Sequence, residues 1–324
     1  MNALAIPQPA LSATERAPWA QPLPRTRGAM LICPSARPAV GVLAELMPLT
    51  NVPILGQGLV EYWLSHLARS GIKDVLILAS DRPEEVRALT GSGARWGLAI
   101  QVQAAPIEFT ASDAIAKYEE EPSAPIETVS AWGSSVREQP APEGAEIRVA
   151  ELDHLPGLSR FHLFASYRDW YAAACAWIPF AKSSDRVGVR EVRSGIWMSL
   201  PSHVLTKDLR APCWVGKNVF VGEGAVIGPG TILEDGVFIE PGAVVAHSYV
   251  GPDTYVGRDA EVLQSVAWGS TLVDWSTGVL TRVPDAFILS SLKRPRSRGQ
   301  IAALFDRITR LYSVETQKTE GRGH

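Results

Sequence analysis

The chain has 324 residues, of which 46% are hydrophobic and 20% are charged, with a formal net charge of -3. This length exceeds what a single hydrophobic core usually supports, so it predicts about two domains. The balanced charge gives no sign of a nucleic-acid partner, and no apolar run approaches the roughly 18 residues of a transmembrane segment.

The three cysteines, Cys33, Cys175 and Cys213, are far apart in the sequence. They build neither a disulfide framework nor a Cys-x-x-Cys metal site, so we expect a reducing, cytoplasmic location. Residues 1–28 contain five prolines and three arginines but lack the continuous apolar core of a signal peptide. We interpret them as a disordered leader.

Residues 29–180 show the alternation of an α/β domain. Residues 119–144 are rich in Glu, Pro, Ser and Ala, which predicts a surface excursion. Strand, helix, strand at this spacing indicates a parallel sheet. The predicted strands are Ala29–Ile32, Asp74–Leu78, Leu98–Val102 and Ile147–Ala150, and the predicted helices are Leu59–Ser70, a segment after Pro83, and Leu163–Trp177.

Residues 196–275 contain a six-residue repeat. Glycines directly follow several of its aliphatic residues, and a chain that turns a corner every six residues needs an inward aliphatic on each face and a residue tolerant of positive φ at the bend. The repeat predicts a left-handed parallel β-helix with three faces per coil, beginning with a coil at Met198–Leu209. The aliphatic residues, with one shift of phase, are Val215, Val221, Ile227, Leu233, Ile239, Val245, Val250, Val256 and Val262.

Residues 276–324 are interpreted as a C-terminal extension. An amphipathic helix is predicted from the spacing of Ile301, Leu304, Ile308 and Leu311, followed by a polar tail. The basic segment 293–298 is compatible with a membrane surface, an acidic partner or a solvated linker.

Four segments resemble the sugar-1-phosphate nucleotidyltransferases (NDP-sugar pyrophosphorylases). Val52–Leu64 resembles the family motif L-P-V-x-G-x-P-L-I-E-Y-x-L, and Ala68–Val75 resembles A-x-x-G-I-x-x-V. Arg95–Ile100 is similar to W-G-V-x-I, and His247–Gly257 is similar to S-Y-I-G-P-x-T-x-I-G. The resemblance implies a shortened, Rossmann-like nucleotidyltransferase domain before the β-helix. It also implies nucleotide or sugar-phosphate ligands, Mg²⁺ if the protein is catalytic, and a role in nucleotide-sugar or polysaccharide metabolism.

The residues with which that family binds phosphate, G-x-G-T-R, are replaced in this sequence. In the family's register, its two glycines fall on Ser35 and Arg37, while its threonine and arginine fall on Pro38 and Ala39. Proline has no N–H for a phosphate and alanine has no charge, so we expect weak or lost nucleotidyl transfer.

The resemblance still leaves candidate site residues. Ser35, Arg37 and Thr110 are the candidate nucleotide contacts, and Arg37 and Asp153 are the catalytic candidates. Asp153 matches the family's metal-binding aspartate and would hold Mg²⁺, although a turn or N-cap aspartate fits the sequence as well. The half-domain that contacts the sugar in the family has no counterpart before the β-helix.

Two other function classes fit the same sequence. One is a noncatalytic scaffold or regulatory subunit that oligomerises, or docks a true enzyme, through the β-helix. The other is a hexapeptide-repeat acyltransferase, in which His247, or alternatively His203, would deprotonate the acceptor. A histidine at a coil corner can also be simply solvated.

Overall fold

The computed structural model describes residues 28–119, 126–128, 147–181 and 188–293. Nearly all of the predicted leader, most of the predicted excursion, the basic segment after Lys293 and the predicted C-terminal helix lie outside the described residues. Two units are distinguished: residues 1–189 with 275–278, and residues 190–274 with 279–324.

The first unit contains a five-stranded parallel sheet with the strand order β5-β4-β1-β7-β6. The central strand β1 is apolar along its length, as expected of a strand covered on both faces. The strands of this unit are β1 (Gly28–Ile32), β2 (Pro53–Ile54), β3 (Gln57–Gly58), β4 (Asp74–Ala79), β5 (Ala99–Ala104), β6 (Ile126–Thr128) and β7 (Ile147–Glu151).

In the described part of this unit, five α-helices and four short 3-10 helices lie between or after these strands. The α-helices are α1 (Gly41–Leu46), α2 (Leu59–Arg69), α3 (Pro83–Thr90), α4 (Ala111–Glu119) and α5 (Tyr167–Trp177). The 3-10 helices are Pro38–Val40, Leu49–Asn51, Ala94–Trp96 and Ile178–Phe180.

Local sequence signals set the ends of two helices. The side chain of Glu61 accepts a hydrogen bond from the Gly58 N–H at 2.6 Å, which starts α2, and Gly71 at φ +82° follows the end of that helix. Helix α5 starts at Tyr167 instead of Leu163, because the Ser166 hydroxyl accepts a hydrogen bond from the Asp169 N–H at 3.0 Å. The predicted start of α5 was therefore too early.

The second unit consists of short strands arranged in three-sided coils. Its strands are β8 (Val189–Arg193), β9 (Ile196–Ser199), β10 (His203–Val204), β11 (Asp208–Leu209), β12 (Cys213–Val215), β13 (Phe220–Val221), β14 (Val226–Ile227), β15 (Thr231–Leu233), β16 (Phe238–Ile239), β17 (Val244–Ala246), β18 (Tyr249–Val250), β19 (Thr254–Val256), β20 (Glu261–Leu263), β21 (Ser265–Trp268), β22 (Thr271–Asp274), β23 (Leu280–Arg282) and β24 (Leu289–Ser291).

Every third strand of the coils joins the same sheet. The sheet orders are β10-β13-β16-β19-β24, β11-β14-β17-β20 and β23-β22-β21-β18-β15-β12-β9-β8. Pairing is parallel from β9 to β21, which is the arrangement of a parallel β-helix. The first coil begins near Met198, as predicted from the sequence.

The chain then reverses instead of continuing the coils. Strand β22 pairs antiparallel with β21, and β23 pairs antiparallel with β22. Strand β24 returns to pair antiparallel with β19. Residues beyond the predicted end of the repeat therefore still contribute to its sheets.

All nine aliphatic residues of the repeat are buried in one continuous core. Their phase shift also has a structural counterpart: Cys213 lies opposite Thr231, whereas Ile232 lies opposite Tyr249, so the coil closes with one residue fewer. Hexapeptide spacing thus determines both the interior of the coil and its register.

The glycines that follow these aliphatic residues serve close packing more than positive φ. A Cβ on Gly216 would meet the main chain of Glu234 and Asp235 in the next coil at 2.7 Å. Of the glycines that directly follow the aliphatic residues, Gly228 has φ +102° and provides a bend as expected, whereas other positive φ values occur at later corner positions such as Asn218 and Gly242. For Gly216 the expectation was wrong, because contact between coils is what excludes a side chain there.

Candidate functional site

The carboxyl ends of β1, β4 and β7 lie side by side in the parallel sheet. The N–H of Cys33 donates to Leu78 O at 2.9 Å, and the N–H of Leu152 donates to Ile32 O at 2.9 Å. The loops that follow these strands therefore start from one edge, where open α/β sheets bind ligands. Three of the predicted site residues, Ser35, Arg37 and Asp153, lie in these loops.

Ser35 and Arg37 converge on a residue that the sequence analysis did not single out, Glu108. The Ser35 N–H and hydroxyl donate to Glu108 Oε2 at 2.9 and 2.7 Å. The Arg37 guanidinium is bidentate, with Nη1 at 2.7 Å from Oε2 and Nη2 at 2.5 Å from Oε1. We name the Ser35 N–H, the Ser35 hydroxyl and the Arg37 guanidinium the anion cradle. Its donors are those that hold phosphate in other proteins, but here they hold a carboxylate.

The charges in the anion cradle are mutually stabilised. Burial by itself would raise the pKa of the Glu108 carboxyl, but hydrogen bonds from Arg37 and Ser35 outweigh burial and lower that pKa. The hydrogen bonds that Arg37 donates to Glu108 raise the pKa of Arg37, and the charge of Asp153 adds to this effect. Glu108 is therefore a carboxylate at neutral pH, and the cation of Arg37 is already neutralised.

Two histidines contact Asp153. Its Oδ1 lies 2.5 Å from His154 Nδ1, and its Oδ2 lies 3.3 Å from His162 Nδ1. The Trp63 indole N–H donates to His154 O at 2.8 Å, which fixes this loop against α2. Burial opposes ionisation of Asp153, yet the hydrogen bonds from both histidines lower its pKa. Asp153 is thus a loop carboxylate whose two oxygens are each held by an imidazole.

These residues do not fit Mg²⁺. The ion requires several oxygen ligands in near-octahedral geometry, whereas both oxygens of Asp153 face imidazoles and both oxygens of Glu108 face Arg37. Glu151 accepts a hydrogen bond from the Ala111 N–H at 2.9 Å. In the described parts of the chain, no group of three His, Cys, Asp or Glu side chains is placed to hold a metal ion.

Thr110, the third predicted nucleotide contact, lies at the start of α4 and does not join the anion cradle. Its hydroxyl accepts from the Asp113 N–H at 3.2 Å and donates to Asp113 Oδ2 at 2.7 Å. This is the bonding of a helix N-cap. Cys33, next to the cradle loop, is buried and burial raises its pKa to about 12, so it is a thiol and not a nucleophilic thiolate.

The two candidate acyltransferase histidines lie in the β-helix. His247 is an exposed corner residue at φ +50°, and its N–H donates to Pro229 O at 2.8 Å. His203 is exposed in the first coil, opposite Phe220 in the register. Each imidazole is accessible to a substrate.

Residues 212–247 match the family model "Bacterial transferase hexapeptide (six repeats)". The matched hexapeptide repeats are the coils from β12 to the corner at His247, where the buried aliphatic ladder is continuous. No curated protein matches the chain. Within the described residues, no helix has both the length and the apolar composition required to cross a membrane.

Glu108 had a detectable signal in the sequence. It follows β5 by a few residues, and loops at the carboxyl edge of a parallel sheet meet one another. Position alone does not distinguish Glu108 from Asp81 and Asp153, which follow β4 and β7 at the same end of the sheet. The histidine contacts of Asp153 had no such signal, because His162 reaches it only through the local fold of the loop after β7.

Proposed function

We propose that this chain is a nucleotidyltransferase-like protein of nucleotide-sugar or polysaccharide metabolism that has lost nucleotidyl transfer. In this proposal it acts as a regulatory or scaffold subunit that assembles through its hexapeptide β-helix. It works in the reducing cytoplasm, in agreement with its three unpaired cysteines.

One observation carries the proposal: Glu108 occupies the donors of Ser35 and Arg37. Transfer of a nucleotidyl group requires neutralisation of a triphosphate, because negative charge grows on the phosphates as sugar 1-phosphate attacks the α-phosphate. The loop after β1 contributes a single cation, Arg37, and Glu108 already neutralises it. Prolines 34 and 38 provide no further N–H groups.

The β-helix supports the assembly half of the proposal. The match to bacterial transferase hexapeptide repeats covers coils whose inner residues are fully buried, so this unit is a rigid platform. Repeat surfaces of this kind are extended and suited to protein contacts. The partner in this proposal is a second copy of the chain or a conventional nucleotidyltransferase.

A pyrophosphate-release assay tests the catalytic half. The purified full chain is incubated with Mg²⁺, each nucleoside triphosphate and a panel of sugar 1-phosphates, and we expect no release above a protein-free blank. Robust turnover that is abolished by Asp153→Asn would overturn the proposal. The assembly half is tested by light scattering, and by the turnover of a conventional nucleotidyltransferase from the same cell with and without this chain.

A hexapeptide acyltransferase is the second candidate, favoured by the match that ends at His247. An exposed imidazole there would take a proton from the acceptor as that acceptor attacks the thioester. Acetyl-CoA consumption that is lost in His247→Ala and retained in His203→Ala would favour this function over the first.

A further inference from the structure

The carboxylate of Glu108 bridges two loops that are not neighbours in the sheet. Glu108 follows β5 and the anion cradle follows β1, and β4 lies between these two strands. All three cradle donors point at the two carboxylate oxygens, over distances from 2.5 to 2.9 Å. The protein thus contains a complete oxyanion site together with its own oxyanion.

Few main-chain hydrogen bonds hold the segment that carries Glu108. The last main-chain hydrogen bond after β5 runs from the Ala105 N–H to Ala79 O at 2.9 Å. From Pro106 to Phe109 the main chain makes no hydrogen bond with any residue the structure describes. Ile107 is 65% exposed, whereas Phe109 packs against the core cluster that includes Met30, Ile32 and Leu78. The movement required is therefore that of the Glu108 side chain alone, while Phe109 and the hydrogen bond from the Ala111 N–H to Glu151 keep the segment in place.

The ion pair is also reachable from solvent. The side chains of Arg37 and Glu108 are 36% and 28% exposed. Because the Arg37–Glu108 pair is bidentate, it is stronger than an ordinary partly exposed ion pair, and only an anion that binds the guanidinium at least as well displaces the carboxylate. A phosphate group offers the same pair of oxygens to the guanidinium and carries more charge than a carboxylate.

We propose that Glu108 is an internal plug of the anion cradle, which a soluble phosphate or polyphosphate oxyanion displaces. This inference rests on the proposed function, for it explains how that site is regulated. The tethered carboxylate acts as a competing ligand at high local concentration, so the native chain responds only to an oxyanion abundant enough to outcompete it.

Calorimetric titration of the full chain with inorganic pyrophosphate tests the plug. Glu108→Gln removes the charge and keeps the side-chain shape, and we expect it to bind pyrophosphate at least about tenfold more tightly than the native chain. Glu84→Gln is the matched control, because Glu84 is 79% exposed on α3 and its loss changes net charge equally. We expect this control to titrate like the native chain. The double variant Arg37→Gln with Glu108→Gln should not show this increase in affinity for pyrophosphate.

Equal affinities for Glu108→Gln and Glu84→Gln would overturn the plug, as would a gain that survives loss of Arg37. If Glu108→Gln does not fold, Glu108→Asp provides the test. Its shorter side chain withdraws the carboxylate from Arg37, and it should bind pyrophosphate more tightly than the native chain; unchanged affinity again contradicts the plug. Turnover by the native chain in the pyrophosphate-release assay would contradict the proposed function. The pyrophosphate affinities of the variants test the plug independently of that assay.

Discussion

The phenol of Tyr255 donates a hydrogen bond of 2.8 Å to Oε1 of Glu240 in the preceding coil. Both residues are buried, at 1% and 2% exposure, and Oε2 of the same carboxylate lies 3.7 Å from Arg258 Nε. Burial of a carboxyl group costs free energy unless its oxygens find polar partners, and the phenol and the guanidinium supply them here. The pair therefore ties two coils together through a buried polar contact.

Removal of the Tyr255 hydroxyl should destabilise the β-helix. We expect Tyr255→Phe to lower the free energy of unfolding by about 1 to 3 kcal/mol, because it leaves a buried carboxylate oxygen with one donor fewer. The ring remains able to stack on Phe238, whose centroid lies 5.9 Å away. Chemical denaturation measures the loss, and a double-mutant cycle with Glu240→Gln isolates the pair. Strict additivity in that cycle would contradict the assigned role.

Truncation of an inward aliphatic should be far more costly than the same truncation on the outside. Leu233 is fully buried in the coil core, whereas Leu263 is 47% exposed. We expect Leu233→Ala to cost about 2 to 5 kcal/mol of unfolding free energy, because it leaves a cavity, and Leu263→Ala to cost less than about 0.5 kcal/mol. Denaturant midpoints of the two variants provide the comparison. Similar midpoints would contradict the assignment of the core.

Alanine substitutions at two corner glycines distinguish the destabilisation caused by positive φ from that caused by contact with a neighbouring coil. Gly224 and Gly228 have φ of +72° and +102°, but a Cβ on Gly224 meets nothing within 4 Å, while one on Gly228 would collide with the main-chain oxygen of Arg210 in the preceding coil. We expect Gly224→Ala to cost about 1 kcal/mol through backbone strain and Gly228→Ala to cost more, because a main-chain atom cannot move aside. Thermal unfolding of both variants is the measurement. The reverse order would refute the contact between coils.

His66 should make stability depend on pH. Burial lowers the pKa of this imidazole to about 4, and the charges of Arg148 and Arg69 act in the same direction. The native state therefore binds the proton less readily than the unfolded chain. The stabilisation is complete above the unfolded pKa of about 6.5 and is lost as pH falls toward 4. We expect a loss of about 1.5 kcal/mol in unfolding free energy between pH 6.5 and 5 from this group.

Replacement of the imidazole tests this dependence. His66→Gln should flatten the decline in unfolding free energy between pH 6.5 and 5, as measured by urea denaturation at a series of pH values. His203→Gln removes an exposed imidazole from the first coil and serves as the matched control. A decline that persists unchanged in His66→Gln would assign the effect to other groups.

Much of the fold could be predicted from the sequence. Period and composition alone located the buried ladder from Val215 to Val262, because an inward residue every six positions has one geometric solution. The parallel sheet followed from apolar strands separated by amphipathic helices. The handedness of the β-helix and the relation to nucleotidyltransferases stay predictions.

The sequence predicted only part of the candidate site. Spacing placed Ser35 and Arg37 in a loop without glycine and showed that a nucleotide would find few donors there. Which group those donors bind depends on Glu108, more than seventy residues later, across the end of an intervening strand. Periodicity is a local property of the chain, so the sequence by itself determined the repeat and its core. It also determined that the loop after β1 has few groups able to bind phosphate. Convergence of the loops after β1 and β5 is a long-range property, so only the tertiary structure decided that a carboxylate of the same chain occupies the anion cradle.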